Sequence, residues 1–562
     1  MSERRRVGAV LEEIATLSEL AGENPFKSRA LMSAARTIVR LEPELPELAA
    51  KGELTAVPGI GKGIAAIIEA VLAGREPAAL AELRRRVPPG LPQLLVLPGL
   101  GTRRAHTLWH QLGVESLGEL EYACRENRLV SLAGFGPVTQ NNLLAAIEFQ
   151  NQIADKHHLS VGWAAAEDVL MRLRTLLPES RSELAGEVRR CLEVVGEVVV
   201  VCAGASTDEI AAALQSGLAA PASVGATEVR GQHRAGIQVR AHVVQPTDFG
   251  AAVAWHTGSA EHCVQLSIEA RRRGLVFANG QLHGGNGRHI PCGDEEELYA
   301  QLGLPWIPPE LREGAGEVEA ARADALPRLV EEGDLLGAVH AHTTDSDGMA
   351  PLAEMAEAAG RLGWSYLGIA DHSASAAYAH GLDAERLRTQ GEAITAHNAR
   401  GGAPLLLRGL EADILRDGTL DLPEHVTLDF VVASVHSLFR QEADVQTARL
   451  CRAVGCGRGV ILGHPTGRLL LARPGYQVDL EVVLQAAARS GAAVEINAHP
   501  FRLDLDWRWV RRAVELGVPI SIGPDAHDTH GLADVRWGVA TARKGWATAG
   551  HVLNTRPWPW WS

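Results

Sequence analysis

LLGAVHAHTTDSDG (335–348) opens on apolar residues, sets His340 and His342 two apart, and runs on to Asp347. Side chains at i and i+2 of an extended segment share one face, so both imidazoles can reach a common point. The design recurs in SYLGIADHS (365–373), LLLRGLEAD (405–413), DFVVASVHS (429–437), GVILGHPTG (459–467), AAVEINAHP (492–500) and PISIGPDAH (519–527). Each is a short apolar run ending in polar, mostly metal-ligating residue types. Helix-like segments such as MAPLAEMAEAAGRLG (349–363) and LEVVLQAAARSG (480–491) separate them. Short buried strands alternating with helices predict a parallel arrangement. Strands that all deliver polar groups at their C-terminal ends converge on one face, as in a (β/α) barrel. Seven such runs, not eight, predict a distorted or incomplete barrel over residues 334–562.

The run ends supply His340, His342, Asp347, His372, Glu411, His436, His464, Asp525 and His527. A lone histidine at a strand end is ordinarily a hydrogen-bonded surface group. Six histidines and three acids ending consecutive apolar runs instead form a constellation. Imidazole with carboxylate suits zinc, manganese or iron, and carboxylates bridge ions. Nine candidates exceed the four ligands of one zinc, so two or three divalent ions are expected. Such a centre yields a metal-bound hydroxide near neutral pH and clamps attacking and leaving oxygens in displacement at phosphorus.

Upstream of residue 334 the patterns change. Residues 1–150 read as short amphipathic helices, and the first of them, MSERRRVGAVLEEIATL, is not a signal peptide because acids interrupt its apolar stretch. Three segments share one layout: LTAVPGIGKGIAAIIEAVL (54–72), LLVLPGLGTRRAHTLWHQL (94–112) and LVSLAGFGPVTQNNLLAAI (129–147). Each joins two apolar helices through a Gly-x-Gly turn. A glycine turn before a helix presents free backbone N–H groups to a phosphate. Gly59, Gly61, Lys62, Gly63, Gly99, Gly101, Gly134 and Gly136 are the candidate DNA-backbone contacts, with Lys62 adding a cation. Residues 156–310 alternate strands and helices, with VVGEVVVVCA (194–203), AGIQVRAHVVQ (235–245) and RGLVFANGQL (273–282) as strands. Residues 311–333 read as a linker with a helical segment.

The 562 residues are 46% apolar and 22% charged, the profile of a folded globular chain of several domains. No apolar run reaches the ~20 residues of a membrane helix. Seven scattered cysteines without a Cys-x-x-Cys pair predict a reducing cytoplasmic setting and no thiolate zinc site. Fifty-four basic against 68 acidic residues give a net charge of −14, so nucleic acid must be met on local patches.

The segments VHAHTTDSDG, GIADHS, GLEADI, SVHS, GHPTGR, EINAHPFRLD and PDAH resemble the PHP family of phosphoesterases over residues 334–562. The resemblance implies a distorted (β/α)7 PHP barrel with a trinuclear manganese or zinc centre, and all nine ligand positions match. Ala338, where relatives carry Asp, is not one of them. Arg468 and Arg502 are candidate phosphate contacts, because guanidinium grips phosphate through paired N–H groups. His499 lies outside the ligand set.

The whole order resembles the bacterial family X DNA polymerases, with local matches at NPFKSRA (24–30), LPGLG (97–101), AGFG (133–136) and HTGSAEH (256–262). It implies a helix-hairpin-helix domain (1–85), a fingers-like helix-hairpin-helix domain (86–155), an α+β palm/thumb-like region (156–310), a linker (311–333) and the PHP domain (334–562). The family's Gly-Ser-x-Arg-Arg and Asp-x-Asp become Ala185-Gly186-Glu187-Val188-Arg189-Arg190 and Glu197-Val198-Val199, and the third Asp falls on Arg240. Valine cannot bind Mg²⁺ and arginine repels it, so polymerase activity is expected to be absent. Ile67 stands at the Schiff-base lysine of the lyase relatives, so lyase action is not expected. The resulting expectation is a cytoplasmic, metal-dependent DNA phosphodiesterase of DNA repair, acting as a 3′→5′ exonuclease that trims abasic or blocked ends. A histidinol-phosphate-type phosphatase, a non-enzymatic DNA scaffold and a still-active polymerase are the alternatives.

Overall fold

The computed structural model describes residues 3–41, 45–130, 132–402, 404–457 and 459–560. The chain forms two compact units, Met1–Ala154 and Asp155–Ser562. No described helix is long and apolar enough to cross a membrane.

The first unit is helical. Helices Glu3–Leu20 and Pro25–Val39 pair, and shorter helices follow at Lys62–Leu72, Ala78–Arg86, Thr102–Leu112, Leu117–Arg125 and Pro137–Ile153. One apolar cluster runs from Val7 through Ile68, Leu83 and Leu108 to Ile147. The two expected hairpin regions, 1–85 and 86–155, share this core. The apolar faces of both halves close on the long first helix, and neither half owns a separate core.

The second unit opens with a five-stranded sheet in the order Arg181–Ala185, Glu197–Ala203, Gln238–Val244, Glu228–Gln232, Ser223–Val224. The sequence run 273–282 is not one strand. It is the hairpin Leu275–Ala278 and Gln281–Gly284, turning at Asn279 and Gly280, whose φ values of 51° and 72° fit the tight hairpin turn that Asn-Gly favours. Residues 311–333 are not a free linker either. Arg312 and Glu317 are fully buried, helix Glu317–Arg322 packs its Val318 and Ala321 into the preceding apolar cluster, and the Val330 N–H donates to the Ala547 carbonyl. Burying those two charged groups beside partners fixes the segment in place.

All seven C-terminal runs are strands, and every named strand pair among them is parallel. Gly337–Ala341, Tyr366–Ile369 and Leu405–Arg408 form one sheet; Glu411–Asp413, Val431–Ser434, Val460–Leu462, Ala493–Asn497 and Ile520–Gly523 form the other. The run 405–413 is broken at Gly409, where a Cβ would stand 2.2 Å from the Phe430 ring. Parallel bridges His372–Glu411 and Ala341–Ala526 join the two sheets at both ends, so the pairing runs around a ring. Helices such as Leu352–Arg361 and Leu480–Ser490 bury Met355, Ala359, Val483 and Leu484 against the strands.

Candidate metal centre

The ring's strand ends carry the expected ligands inward. His340 lies in Gly337–Ala341 at a register shift against Tyr366–Ile369, with φ 71°. A bulge of this kind re-aims a side chain. Asp525 at φ 51° and His464 at φ 25° are likewise held in left-handed backbone, which non-glycine residues adopt at a cost of order 1–3 kcal/mol that surrounding structure must cover.

The nine side chains meet in one place. His340 Nε2 is 3.3 Å from Glu411 Oε1 and 3.5 Å from Asp525 Oδ1. His342 Nε2 is 3.1 Å from Asp525 Oδ1, and its Nδ1 is 3.8 Å from Asp347. His372 lies between Glu411 (2.9 Å) and Asp347 (3.5 Å). His436 and His464 approach Glu411 Oε1 at 3.3 and 3.0 Å, and His527 Nε2 is 3.5 Å from Asp347. Three overlapping groups result: His342, Asp347, His372 and His527; His340, His342 and Asp525; His372, Glu411 and His436. His342 and His372 each belong to two groups, and Glu411 is within 3.7 Å of five imidazoles, those of His340, His342, His372, His436 and His464.

The donor set fits divalent cations. Four buried ring nitrogens, His340 Nε2, His342 Nδ1, His372 Nδ1 and His464 Nδ1, have no hydrogen-bond partner, which is costly for a buried polar atom unless an ion uses it. Glu411 and Asp525 are buried carboxylates whose charge needs compensation. Burial disfavours charge on His372, yet Glu411 and Asp347 outweigh it and push its pKa up to about 10. His436 rises to about 9 against the same burial, through Glu411 and Asp413. The cluster thus attracts positive charge. His464, by contrast, is driven down to about 4 by burial and then by Arg502, so it is neutral, as a ligand must be.

A ring of further groups orients these ligands, and sequence reasoning missed it. Glu495 Oε1 accepts from His340 Nδ1 at 2.5 Å, and its Oε2 accepts from the His464 backbone N–H at 2.7 Å. Asp413 Oδ1 accepts from His436 Nδ1 at 2.5 Å, and Asn497 Nδ2 donates to Asp525 Oδ2 at 3.0 Å. Carboxylates behind ligating histidines fix the tautomer and raise ligand basicity. Asp413, two residues after Glu411, was findable by spacing; Glu495 sits inside an apolar run with nothing to mark it.

Arg502 Nε stands 3.7 Å from Asp525 Oδ2, at the edge of the cluster. Arg468 is corrected: its guanidinium donates to the Arg502 and Leu503 carbonyls and pairs with Asp506 and Glu193. Partly buried among acceptors that take four of its five N–H groups, it supports the Arg502 loop. His499 is close by but belongs to none of the three groups.

In the five-stranded sheet Val199 and Arg240 are register partners on adjacent parallel strands. Arg240 Nε pairs with Glu197 at 3.0 Å and Glu228 at 3.6 Å. Val199 is buried with Ala185, Phe249, Ala252 and Val253. Glu187 Oε2 accepts from the Gly196 N–H at 2.6 Å, with Lys156 3.6 Å away. The four positions therefore hold internal ion pairs and an apolar contact, and none of them appears in the three ligand groups.

In the helical unit the three turns are near copies. Gly59, Gly99 and Gly134 have φ of 86°, 81° and 85°, a conformation that favours glycine. Ile60, Leu100 and Phe135 between the glycines are buried and anchor each turn. Gly61, Gly101 and Gly136 cap the following helices without any side-chain hydrogen bond, leaving first-turn N–H groups open. A Cβ at Gly61, Gly63, Gly101 or Gly136 would meet nothing within 4 Å, so a flat partner can approach the backbone there. Lys62 opens its helix beside Gly61. Ile67 lies on the same helix and is partly buried against the core.

Open helix N-termini in one unit, and a ring of histidines and carboxylates in the other, define the class of metal-dependent DNA-processing enzymes. Residues 3–76 match the helix-hairpin-helix domain and residues 252–313 the DNA polymerase beta thumb. The DNA polymerase/3′-5′ exonuclease PolX of Bacillus subtilis (strain 168) is 34% identical over 560 residues, covering 97% of this chain and 96% of that protein. The chain belongs to this bacterial PolX family of X-type DNA polymerases. A probable phosphatase of Thermoanaerobacter sp. (strain X514) is 32% identical over 162 residues, 27% of this chain and 64% of that protein. Another, from Caldanaerobacter subterraneus subsp. tengcongensis, is 35% identical over 134 residues, 22% of this chain and 50% of that protein.

Proposed function

We propose that the chain is a divalent-metal-dependent DNA phosphodiesterase whose hydrolytic centre is the nine-ligand cluster of a distorted (β/α)7 PHP barrel. The observation that carries this is the convergence of His340, His342, Asp347, His372, Glu411, His436, Asp525 and His527, with His464 3.0 Å from Glu411, and four buried ring nitrogens that make no hydrogen bond. These residues would hold two or three Mn²⁺ or Zn²⁺ ions, which when bound would supply Lewis-acid activation of water and charge neutralisation for displacement at phosphorus. The chain's own part is positional. Glu495 and Asp413 fix the ring orientation of His340 and His436, and Arg502 offers a guanidinium to a phosphate oxygen beside Asp525. The uncapped turns of the helical unit hold DNA by its backbone, without base reading.

The 3′→5′ direction follows the exonuclease half of the Bacillus subtilis relative's name. Trimming of abasic or blocked 3′ ends in repair goes beyond that name and is our extension of the nuclease reading. The polymerase half is not carried over, because the family resemblance sets Val199 and Arg240, which are register partners on adjacent strands, at the places of Mg²⁺-binding carboxylates. The test is digestion of 3′- and 5′-labelled single strands with Mn²⁺, Zn²⁺, Mg²⁺ or EDTA, alongside bound-metal analysis. Mononucleotide release from the 3′ end, abolished by EDTA, is expected. Turnover of histidinol phosphate-type monoesters with intact DNA would favour the small-molecule reading that the similarity to probable phosphatases raises.

A further inference from the structure

Beside the metal ligands lies an aromatic ring that the hydrolytic chemistry does not use. Tyr378 sits in the short turn Ala377–Ala379, its ring centre 5.9 Å from that of His372 and 6.2 Å from that of His436. It is 67% exposed, while Ala376 and Ala379 on either side are buried. The turn is firmly built. The Gly381 N–H donates to the Ala376 carbonyl and the Leu382 N–H to the His372 carbonyl. The Ser375 N–H donates to Asp421, and Arg386 donates to the His380 carbonyl at 2.6 Å. Gly381 passes so close to Ser373 that a Cβ there would lie 1.8 Å from its carbonyl oxygen. A rigid loop thus presents a large flat ring to solvent at the mouth of the His372–Glu411–His436 group.

Phosphate chemistry needs no such ring; a substrate with a flat apolar face beside its phosphate does. Phe501, the other half-exposed aromatic near the cluster, is already occupied, with its ring 4.6 Å from His158 and 5.2 Å from His499. Resting on the nuclease reading above, we propose that Tyr378 is a stacking platform for the nucleobase next to the scissile phosphodiester of a single-stranded DNA end. It adds affinity for base-bearing ends without excluding abasic ones and without reading sequence, since every base has a π-face. Tyr378 is accordingly a specificity residue, separate from the ligand set.

The test compares wild type, Tyr378→Ala and Tyr378→Phe on two oligonucleotides, one ordinary and one whose last two 3′ residues are abasic tetrahydrofuran units. Stacking predicts that Tyr378→Ala lowers kcat/KM on the ordinary strand about tenfold or more, chiefly through KM, and stays within about twofold of wild type on the abasic strand. Tyr378→Phe should behave as wild type on both. Bound metal, measured in each variant, should be unchanged. Equal losses on both strands, or no loss on the ordinary one, would overturn the platform and leave the nuclease reading standing. A wild-type chain that cleaves neither strand would overturn both.

Discussion

At the scale of single residues, the centre depends on a few atoms that have no alternative. His340 and His342 serve overlapping groups, so replacing both with Ala removes two ligands at once. We expect partial loss of bound metal and a rate at least about a hundredfold lower, measured by metal analysis and nuclease assay of folded protein. His499→Ala should leave both nearly unchanged, because His499, unlike His464 at 3.0 Å from Glu411, belongs to no group and pairs with none of the described carboxylates of the cluster. Glu495→Gln keeps the size but removes the charge that accepts from His340 Nδ1, and should lower metal affinity or rate about 10–100-fold. The ligands were legible because each ends an apolar run. Glu495 was not, since a carboxylate inside AAVEIN declares its partner only once the ring closes. Its fit also rests on Gly523, where a Cβ would stand 2.1 Å from Glu495 Oε1. Arg468 was misread for the same reason: sequence shows a guanidinium near the site, and only packing shows that carbonyls and carboxylates have taken four of its five N–H groups.

At the scale of elements, periodicity made the seven strands and the three hairpin turns legible, while short connections between charged helices were not. Residues 311–333 look solvated in sequence, yet their fold is set by buried ion pairs. Glu295 receives Arg189 at 2.8 Å, Arg312 at 2.5 Å and Trp306 Nε1 at 3.1 Å. Burial would raise its pKa, but Arg312 and then Arg189 bring it down to about 2 from an ordinary 4.5. A depressed folded pKa gives stability that is complete above about 4.5 and is lost as pH falls towards 2, worth about 3 kcal/mol here. Glu295→Gln strands the fully buried Arg312 and should lower stability at pH 7 by about 3–5 kcal/mol. Denaturant melts at pH 7 and pH 3 check this, because the wild-type advantage should shrink at the lower pH. The hairpin turns answer to salt instead. With few phosphates neutralised, DNA affinity should fall with a log–log salt slope of about −2 to −5, and removing residues 1–154 should abolish most of it while hydrolysis of a small phosphodiester persists.

At the scale of the molecule, the region 155–310 raises the question of why a polymerase-like sheet persists with Val199 facing Arg240. Burial within the second unit supplies an answer. Leu503 and Trp537, from the ring, complete the apolar cluster of Val169, Leu173, Val195 and Ile237. Glu193 pairs with Arg468, which holds the carbonyls of the Arg502 loop, and buried Lys544 pairs with Glu313. The sheet thereby also forms a wall of the unit that carries the histidine and carboxylate cluster. Sequence could not show this, because the Glu193–Arg468 and Lys544–Glu313 pairs join residues 275 and 231 positions apart. Restoring carboxylates should not restore synthesis. Asp at 199 enters a pocket lined by Ala185, Phe249, Ala252 and Val253, and Glu187 would still set a negative charge where the family pattern has serine. The variant Glu197→Asp, Val199→Asp, Arg240→Asp also strips Glu228 of its Arg240 partner. We expect no primer extension with Mg²⁺ or Mn²⁺ from wild type or this variant, and a lower melting temperature for the variant. Its Mn²⁺-dependent nuclease rate should fall only as far as the fold loosens around Glu193 and Arg468. Template-directed extension by the wild type would mean that the sheet binds catalytic ions through groups other than 197, 199 and 240, and the expectation of no synthesis would have to be abandoned.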